Sequence, residues 1–270
     1  MSGPLRCPCD GGFLEQVFTY DAPPPGETVF PGSGSAYERT VLRCAACHHY
    51  VSRHAVDLGD LYDRAYVGAT YGDGLRQAFE RIVALPDERS DNAGRVERIL
   101  RFATERGMPG RRALDVGSGL CVFLHRLVQA GWHGTALDPD ERAVAHARAV
   151  VGVEAVCGDY MTIAGLGRFD LVTFNKVLEH VEDPVAMLSR SVDNLAENGF
   201  VYIEVPDGPS AAAEGPEREE FFIEHLHVFS PASVALLAER AGFSPLRIDR
   251  IREPSTKYTL CAFLVPGRAA

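Results

Sequence analysis

The stretch Arg111-Arg112-Ala113-Leu114-Asp115-Val116-Gly117-Ser118-Gly119-Leu120-Cys121-Val122-Phe123-Leu124 most constrains what this chain can fold into. A short apolar run leads through an acid to a glycine turn, and helical spacing resumes over residues 122–130. Gly117 and Gly119 let the backbone turn sharply and approach a ligand with no Cβ in the way. A strand running through a tight turn into a helix N-terminus makes a nucleotide-binding corner. The corner lacks the full dinucleotide fingerprint, because Cys121 stands where a third glycine would and Val122 and Phe123 follow.

After that corner, strand-like and helix-like patterns alternate, the sign of a parallel α/β sheet. Strands are expected at 133–137, 153–156, 169–174 and 200–205, with helices at 141–150, 184–195 and 231–241. A final strand pair is expected at 246–251 and 258–265, and a covering helix at 93–106 precedes the first strand. Ligands of open α/β sheets sit across the carboxyl ends of the strands. Those ends carry Asp115, Asp138-Pro139, Asp159-Tyr160 and Asn175. An acid after the second strand suits two ribose hydroxyls. One after the third suits an adenine amino group, with Tyr160 to flank the ring. Asn175 lies where an amino-acid portion would extend. No Gly-x-x-x-x-Gly-Lys-Ser/Thr loop exists, which argues against a P-loop nucleotidase.

The order and spacing of these groups resemble the motifs of class I S-adenosylmethionine (SAM) methyltransferases. Asp115 with Gly117 and Gly119 resembles the first motif, Leu137-Asp138-Pro139 the ribose motif and Gly158-Asp159-Tyr160 the adenine motif. The longer stretch from Phe169-Asp170-Leu171-Val172 through Leu178-Glu179-His180-Val181-Glu182-Asp183-Pro184 resembles the segment around the fourth strand. The resemblance covers about residues 111–266. It implies a Rossmann-like, seven-stranded sheet that binds SAM through Asp115, Gly117, Gly119, Asp138, Pro139, Asp159, Tyr160 and Asn175. A pair of acids beside a cationic sulfonium and a free ribose fits that cofactor.

The first fifty residues hold Cys7-Pro8-Cys9 and Cys44-Ala45-Ala46-Cys47, a zinc-ribbon pattern in which two close pairs converge on one tetrahedral ion. So small a segment has little core, and a structural metal supplies the missing stabilisation. The first pair is one residue shorter than Cys-x-x-Cys, and His48, His49 or His54 is an alternative ligand. Cys121, Cys157 and Cys261 stand singly in apolar surroundings and are expected in the core. The expected organisation is a zinc-ribbon module over 1–58, a linker with covering helices over 59–110 and the SAM-binding domain over 111–270. In the linker, Tyr62, Tyr66 and Tyr71 flank a glycine-containing loop suited to covering a cofactor or acceptor, or to packing between domains.

On the acceptor side lies Phe221-Phe222-Ile223-Glu224-His225-Leu226-His227, where alternation in an extended segment places both imidazoles on one face. Histidine is the usual general base at neutral pH. Glu224 is placed to orient a neighbour, His180 faces the same cleft, and His227 rivals His225 for the role. The Cys pairs, the tyrosine loop, Leu178-Glu179-His180 and Glu224-His225 together resemble a bacterial zinc-ribbon methyltransferase group that includes nucleotide-sugar C-methyltransferases. That resemblance implies His225 as the base, assisted by Glu224, with His180 and Tyr71 lining the acceptor side. Those enzymes carry a further C-terminal domain, whereas this sequence ends shortly after Val265-Pro266-Gly267. The acceptor class expected is therefore a small molecule, a sugar or natural-product intermediate, methylated on carbon or oxygen.

The main alternative is an RNA methyltransferase that uses the ribbon for RNA contact. The 37 acidic against 27 basic residues, a net charge of −10, argue against a nucleic-acid partner. No apolar run approaches a membrane span and Met1-Ser2-Gly3-Pro4 opens no signal-peptide core, so a cytoplasmic location is expected.

Overall fold

The computed structural model describes residues 5–9, 13–27, 37–54 and 74–267. Tyr62, Tyr66 and Tyr71 lie outside the described residues. The main sheet has seven strands: β4 (Arg112–Val116), β5 (His133–Asp138), β6 (Glu154–Cys157), β7 (Phe169–Asn175), β8 (Leu195–Pro206), β10 (Phe243–Arg252) and β11 (Tyr258–Pro266). Their spatial order is β10-β11-β8-β7-β4-β5-β6, parallel from β8 to β6, with β11 and β10 added antiparallel. From β4 the chain moves to β5 on one side and returns through β7 on the other. The switch point therefore lies at the end of β4, beside Gly117 and Gly119.

Both faces of the sheet are covered, so its strands read as nearly continuous apolar runs. Leu114, Val172, Val201 and Ile203 pack on one side with Val234 and Leu237 of α7 (Pro231–Arg240). Ala113, Leu171, Phe200 and Tyr202 face the other side, against Ile99 and Phe102 of α2 (Asp91–Glu105) and Leu124 and Leu127 of α3 (Val122–Gln129). Neighbours in sequence fall into opposite clusters, as the period of two requires. Among the described residues the other α-helices are α1 (Leu75–Val83), α4 (Glu141–His146), α5 (Pro184–Arg190) and α6 (Gly208–Glu214). Ser90 caps α2 by accepting from the Ala93 N–H, and Ser230 with Ser233 forms a capping box on α7.

Several expectations shift. The helix expected at 184–195 ends at Arg190 and gives way to a 3-10 turn. Leu195 already belongs to β8, because residues 196–199 bulge out between the pairs Phe169–Leu195 and Leu171–Phe200 with Asn198 at φ 66. The helix after β5 widens into a π turn over Ala147–Val151, closed by Gly152 at φ 76. Cys121 and Cys261 are buried, whereas Cys157 is exposed at the end of the edge strand β6.

The N-terminal segment forms β1 (Leu14–Tyr20), β2 (Arg39–Cys44) and β3 (Tyr50–His54). A fourth strand completes this sheet, β9 (His227–Val228), in the order β1-β2-β3-β9. Tyr50 pairs with Val228 and Val51 with His227. A strand that the sequence assigns to the acceptor segment is thus shared with the N-terminal module. Among the described residues no helix is long and apolar enough to cross a membrane.

Candidate active site

The glycine turn leaves β4 with Gly117 at φ 69 and Gly119 at φ 49. A Cβ on Gly117 would meet Val177 Cγ2 at 2.7 Å, so the turn admits no side chain there. Cys121, where a third glycine would stand, itself adopts φ 56 and begins α3. That is the left-handed conformation glycine takes without strain.

Asp115 is buried and accepts from Thr173 Oγ1 at 2.6 Å and Asn175 Nδ2 at 2.8 Å. Burial raises its carboxyl to about 6 against those hydrogen bonds and the Arg95 charge. Asp138 accepts the Gly119 N–H at 2.8 Å and the Asp140 N–H at 2.9 Å, one on each oxygen. It braces the glycine turn and keeps a lone pair on each oxygen for a ligand. Burial raises this acid too, opposed by the same two donors. Pro139 beside it is exposed.

Asp159 and Tyr160 separate. Asp159 is exposed, and one of its oxygens accepts the Met161 N–H at 2.9 Å. Tyr160 is 2% exposed, packs edge-on against Phe174 and donates its hydroxyl to Asn194 at 2.9 Å. Its ring belongs to the core rather than flanking a ligand at the strand ends, because burying so large an apolar face outweighs its display. Two polar atoms at the ends of β4 and β7, Ser118 Oγ and Asn175 Oδ1, are buried with no hydrogen-bond partner. Orphaned polar groups beside this turn fit a polar ligand such as SAM.

A cavity of about 120 Å³ begins where β7 ends. Lys176, Glu179, His180, Glu224 and His225 are among the residues that line it, and Lys257 and Tyr258 reach it from the C-terminal strand pair. Lys176, at φ 60, donates Nζ to Thr259 Oγ1 at 2.5 Å. His180 Nδ1 lies 2.9 Å from the Glu224 carbonyl and His225 Nδ1 lies 2.9 Å from the Glu220 carbonyl. A carbonyl only accepts, so both rings carry their proton on Nδ1 and present Nε2 as the basic nitrogen. The rings stand 4.9 Å apart, edge to face. One ligating atom each from Glu179, His180 and His225 lies within 4.8 Å of the others.

Burial drives both histidines toward the neutral form, His180 to about 4 and His225 well below its ordinary value, with His180 adding to the effect on His225. Burial drives the two carboxyls the other way, Glu179 and Glu224 each to about 7. Glu179 is fully buried and neither of its carboxyl oxygens has a hydrogen-bond partner.

The expected shared face for His225 and His227 is not formed. The His225 N–H bonds the Phe222 carbonyl at 3.0 Å, closing a turn that breaks the alternation. His225 is left in the cavity, while His227 is fully buried against His49, with its Nδ1 3.0 Å from His49 Nε2. His225 is oriented by the Glu220 carbonyl, and Glu224 serves His180 through its own carbonyl. Glu179 is the acid that sequence reasoning quoted without assigning. Lys176, Lys257 and Tyr258 carried no signal, since they reach the cavity only through tertiary packing.

The four N-terminal cysteines converge. One sulfur each from Cys7, Cys9, Cys44 and Cys47 lies within 4.8 Å of the others, with Cys7–Cys9 at 3.1 Å and Cys9–Cys44 at 3.4 Å. No histidine joins this group among the described residues, and His49 is turned to His227 instead. Burial opposes ionisation of Cys44, but N–H groups of Cys47 and Ala46 and the neighbouring thiols bring it to about 7, while burial pushes Cys47 up. Four convergent thiols with one already near ionisation fit a thiophilic cation such as zinc.

The methyltransferase domain family matches residues 88–248, more than half of the sequence. The chain belongs to the methyltransferase domain family. This methyltransferase domain is 27% identical over 154 residues to a ubiquinone biosynthesis O-methyltransferase of Bordetella avium, across 51% of this chain and 64% of that protein. It is 36% identical over 99 residues to one from Hahella chejuensis, across 33% and 41%. The chain spans less than two thirds of the length of these relatives. The fold matches magnesium protoporphyrin IX methyltransferase from Synechocystis PCC 6803 with bound S-adenosylhomocysteine (TM-score 0.59, 18% identity, 78% of this chain and 100% of that one). It also matches 1,6-didemethyltoxoflavin-N1-methyltransferase of Burkholderia thailandensis, bound to 1,6-didemethyltoxoflavin and S-adenosylhomocysteine (TM-score 0.58, 19% identity, 90% and 100%).

Proposed function

We propose that this methyltransferase domain moves the methyl group of SAM to a small-molecule acceptor seated in the cavity beside β7, with His225 Nε2 taking the acceptor's proton. The observation that carries the reading is the anchored pair His180–His225, each ring held at Nδ1 by a backbone carbonyl in the cavity that begins where β7 ends. In this reading Asp138 holds the ribose, Asp159 meets the adenine amino group, and Asp115, Gly117, Gly119 and Asn175 shape the remaining edge. Pro139 directs the chain past the ribose.

SAM supplies an activated methyl on a good leaving group. The protein's own task is to align the acceptor, exclude water and remove one proton. His225 is neutral through the physiological range, so its lone pair is available on arrival of the acceptor. Glu179 and His180 stand beside it as the other titratable groups of the cluster. Glu224 and Tyr71 complete the acceptor side in this assignment, Tyr71 lying outside the described residues. An O–H or a C–H beside a ketone suits such a base. The O-methyltransferase relatives favour the first, and the resemblance to nucleotide-sugar enzymes favours the second. Cys7, Cys9, Cys44 and Cys47 hold a structural zinc in a module over residues 1–58, joined by 59–110 to the SAM domain over 111–270.

Methyl transfer from labelled SAM to phenolic and keto-sugar acceptors tests the reading. His225→Ala is expected to keep SAM affinity and cut turnover roughly a hundredfold or more. In the parent enzyme the active form is the neutral imidazole, so turnover rises with pH, with a midpoint below the ordinary histidine value of 6.5. Undiminished turnover in His225→Ala would remove the base from the mechanism.

A further inference from the structure

His227 and His49 lie outside the cavity, yet both are fully buried polar side chains that touch each other. His227 Nε2 lies 3.3 Å from the Glu182 carbonyl, which can only accept, so that nitrogen carries the proton. Its Nδ1 must then accept, and the donor is His49 Nε2 at 3.0 Å. His49 Nδ1 lies 3.2 Å from Ser233 Oγ, whose one proton has the Ser230 carbonyl, at 3.1 Å, as its other acceptor. The ring bonds run one way, from His49 through His227 to Glu182, with His49 seated against the α7 capping box.

The backbone repeats the tie. The His227 N–H bonds the Glu179 carbonyl at 3.1 Å, Val51 pairs with His227, and the Ser52 N–H bonds the Leu226 carbonyl at 3.0 Å. Glu179 and Glu182 bracket His180, while Leu226 and His227 directly follow His225. One residue therefore clamps both segments that build the proton-handling cluster and fastens them to the N-terminal sheet. The tetracysteine group sits against the same clamp. Cys44 N–H bonds the His49 carbonyl at 2.8 Å, Ser230 donates to the Cys47 carbonyl, Arg240 donates to the Pro8 carbonyl at 3.0 Å, and Leu236 packs on the cysteines.

We propose that His49 and His227 are a positioning couple through which the tetracysteine module holds His180 and His225 in register at the acceptor cavity. The role requires a side chain with one donor and one acceptor a ring's width apart, in a place without water. Neutral histidine meets that requirement, and glutamine is the nearest substitute. The couple handles no proton in catalysis, because its chain ends on a backbone carbonyl and does not open to the cavity. Its catalytic significance rests on the reading of His225 as base, but its effect on the ring geometry does not.

The test is the nitrogen-15 spectrum of the histidine rings in the full chain, titrated with S-adenosylhomocysteine present. In the parent protein His180 and His225 should show the Nδ1–H tautomer and titrate below 6.5. His227→Leu should release them, moving the His225 midpoint up toward 6.5 by about one pH unit or more, with S-adenosylhomocysteine affinity unchanged. His227→Gln, which restores a donor and an acceptor, should return both signals to the parent pattern. If His227→Leu does not fold, His49→Leu breaks the chain one bond earlier and is read in the same way. Unmoved His180 and His225 signals in a folded leucine variant, or no difference between leucine and glutamine, would overturn the proposal. Neither result depends on turnover, so a failed base assignment and a failed couple are told apart.

Discussion

At the scale of single residues, adjacent side chains in this site have opposite fates. Asp159 faces solvent while Tyr160 enters the core, and His225 lines the cavity while His227 is locked behind it. Asp138 braces Gly119, and the ribose contact proposed for it would be a second duty of the same carboxylate. Asp138→Ala is expected to weaken SAM binding by about 1–3 kcal/mol, through lost charge-assisted bonds and a freed Gly119 N–H. Calorimetric titration measures it, and unchanged affinity would place the ribose contact elsewhere. The pH behaviour of the site is set at this scale too. Burial pushes His180 and His225 down and Glu179 and Glu224 up, so each is driven toward its neutral form.

At the scale of elements, the sheet is coupled to its covering helix by buried charge as well as apolar packing. Glu204 on β8 is fully buried and bonded by Arg95 and Arg98 of α2, the latter at 2.8 Å, and by the Tyr202 hydroxyl at 2.5 Å. Burial opposes its ionisation, but the two guanidiniums, Arg95 first, hold it well below the ordinary carboxylate value of 4.5. A depressed carboxyl stabilises the fold in full above that value, and the contribution is lost as pH falls below it. Glu204→Gln leaves two buried cations without their counter-charge and is expected to cost about 3–5 kcal/mol. Urea unfolding of the variant checks this. A loss under about 1 kcal/mol would show that the arginines re-pair, with Glu253 at 3.8 Å from Arg98 the nearest candidate.

At the scale of the molecule, the N-terminal module and the methyltransferase domain share a sheet, so the metal proposed for the first bears on the second. Protein purified without added metal is expected to carry about one equivalent of zinc per chain. Stripping it under reducing conditions should lower the melting temperature. Metal-free protein with the cysteine cluster still ordered would count against the zinc. What the sequence alone determined was whatever depends on neighbours along the chain. The glycine turn after β4, the acids at the strand ends and the two-residue alternation of the core strands are local patterns with a fixed period. The close cysteine pairs belong with them, since each pair is made within one turn. The tertiary structure decided what depends on chain segments far apart. His227 pairs with His49, 178 positions away in the sequence, and a two-strand ladder between the module and the acceptor segment brings them together. Lys257 and Tyr258 reach the cavity because β11 lies beside β8. A turn at Phe222 separated two histidines that alternation alone would have kept together. Such pairings have no period to read, because which buried donor meets which buried acceptor is settled only when the folded core closes around both.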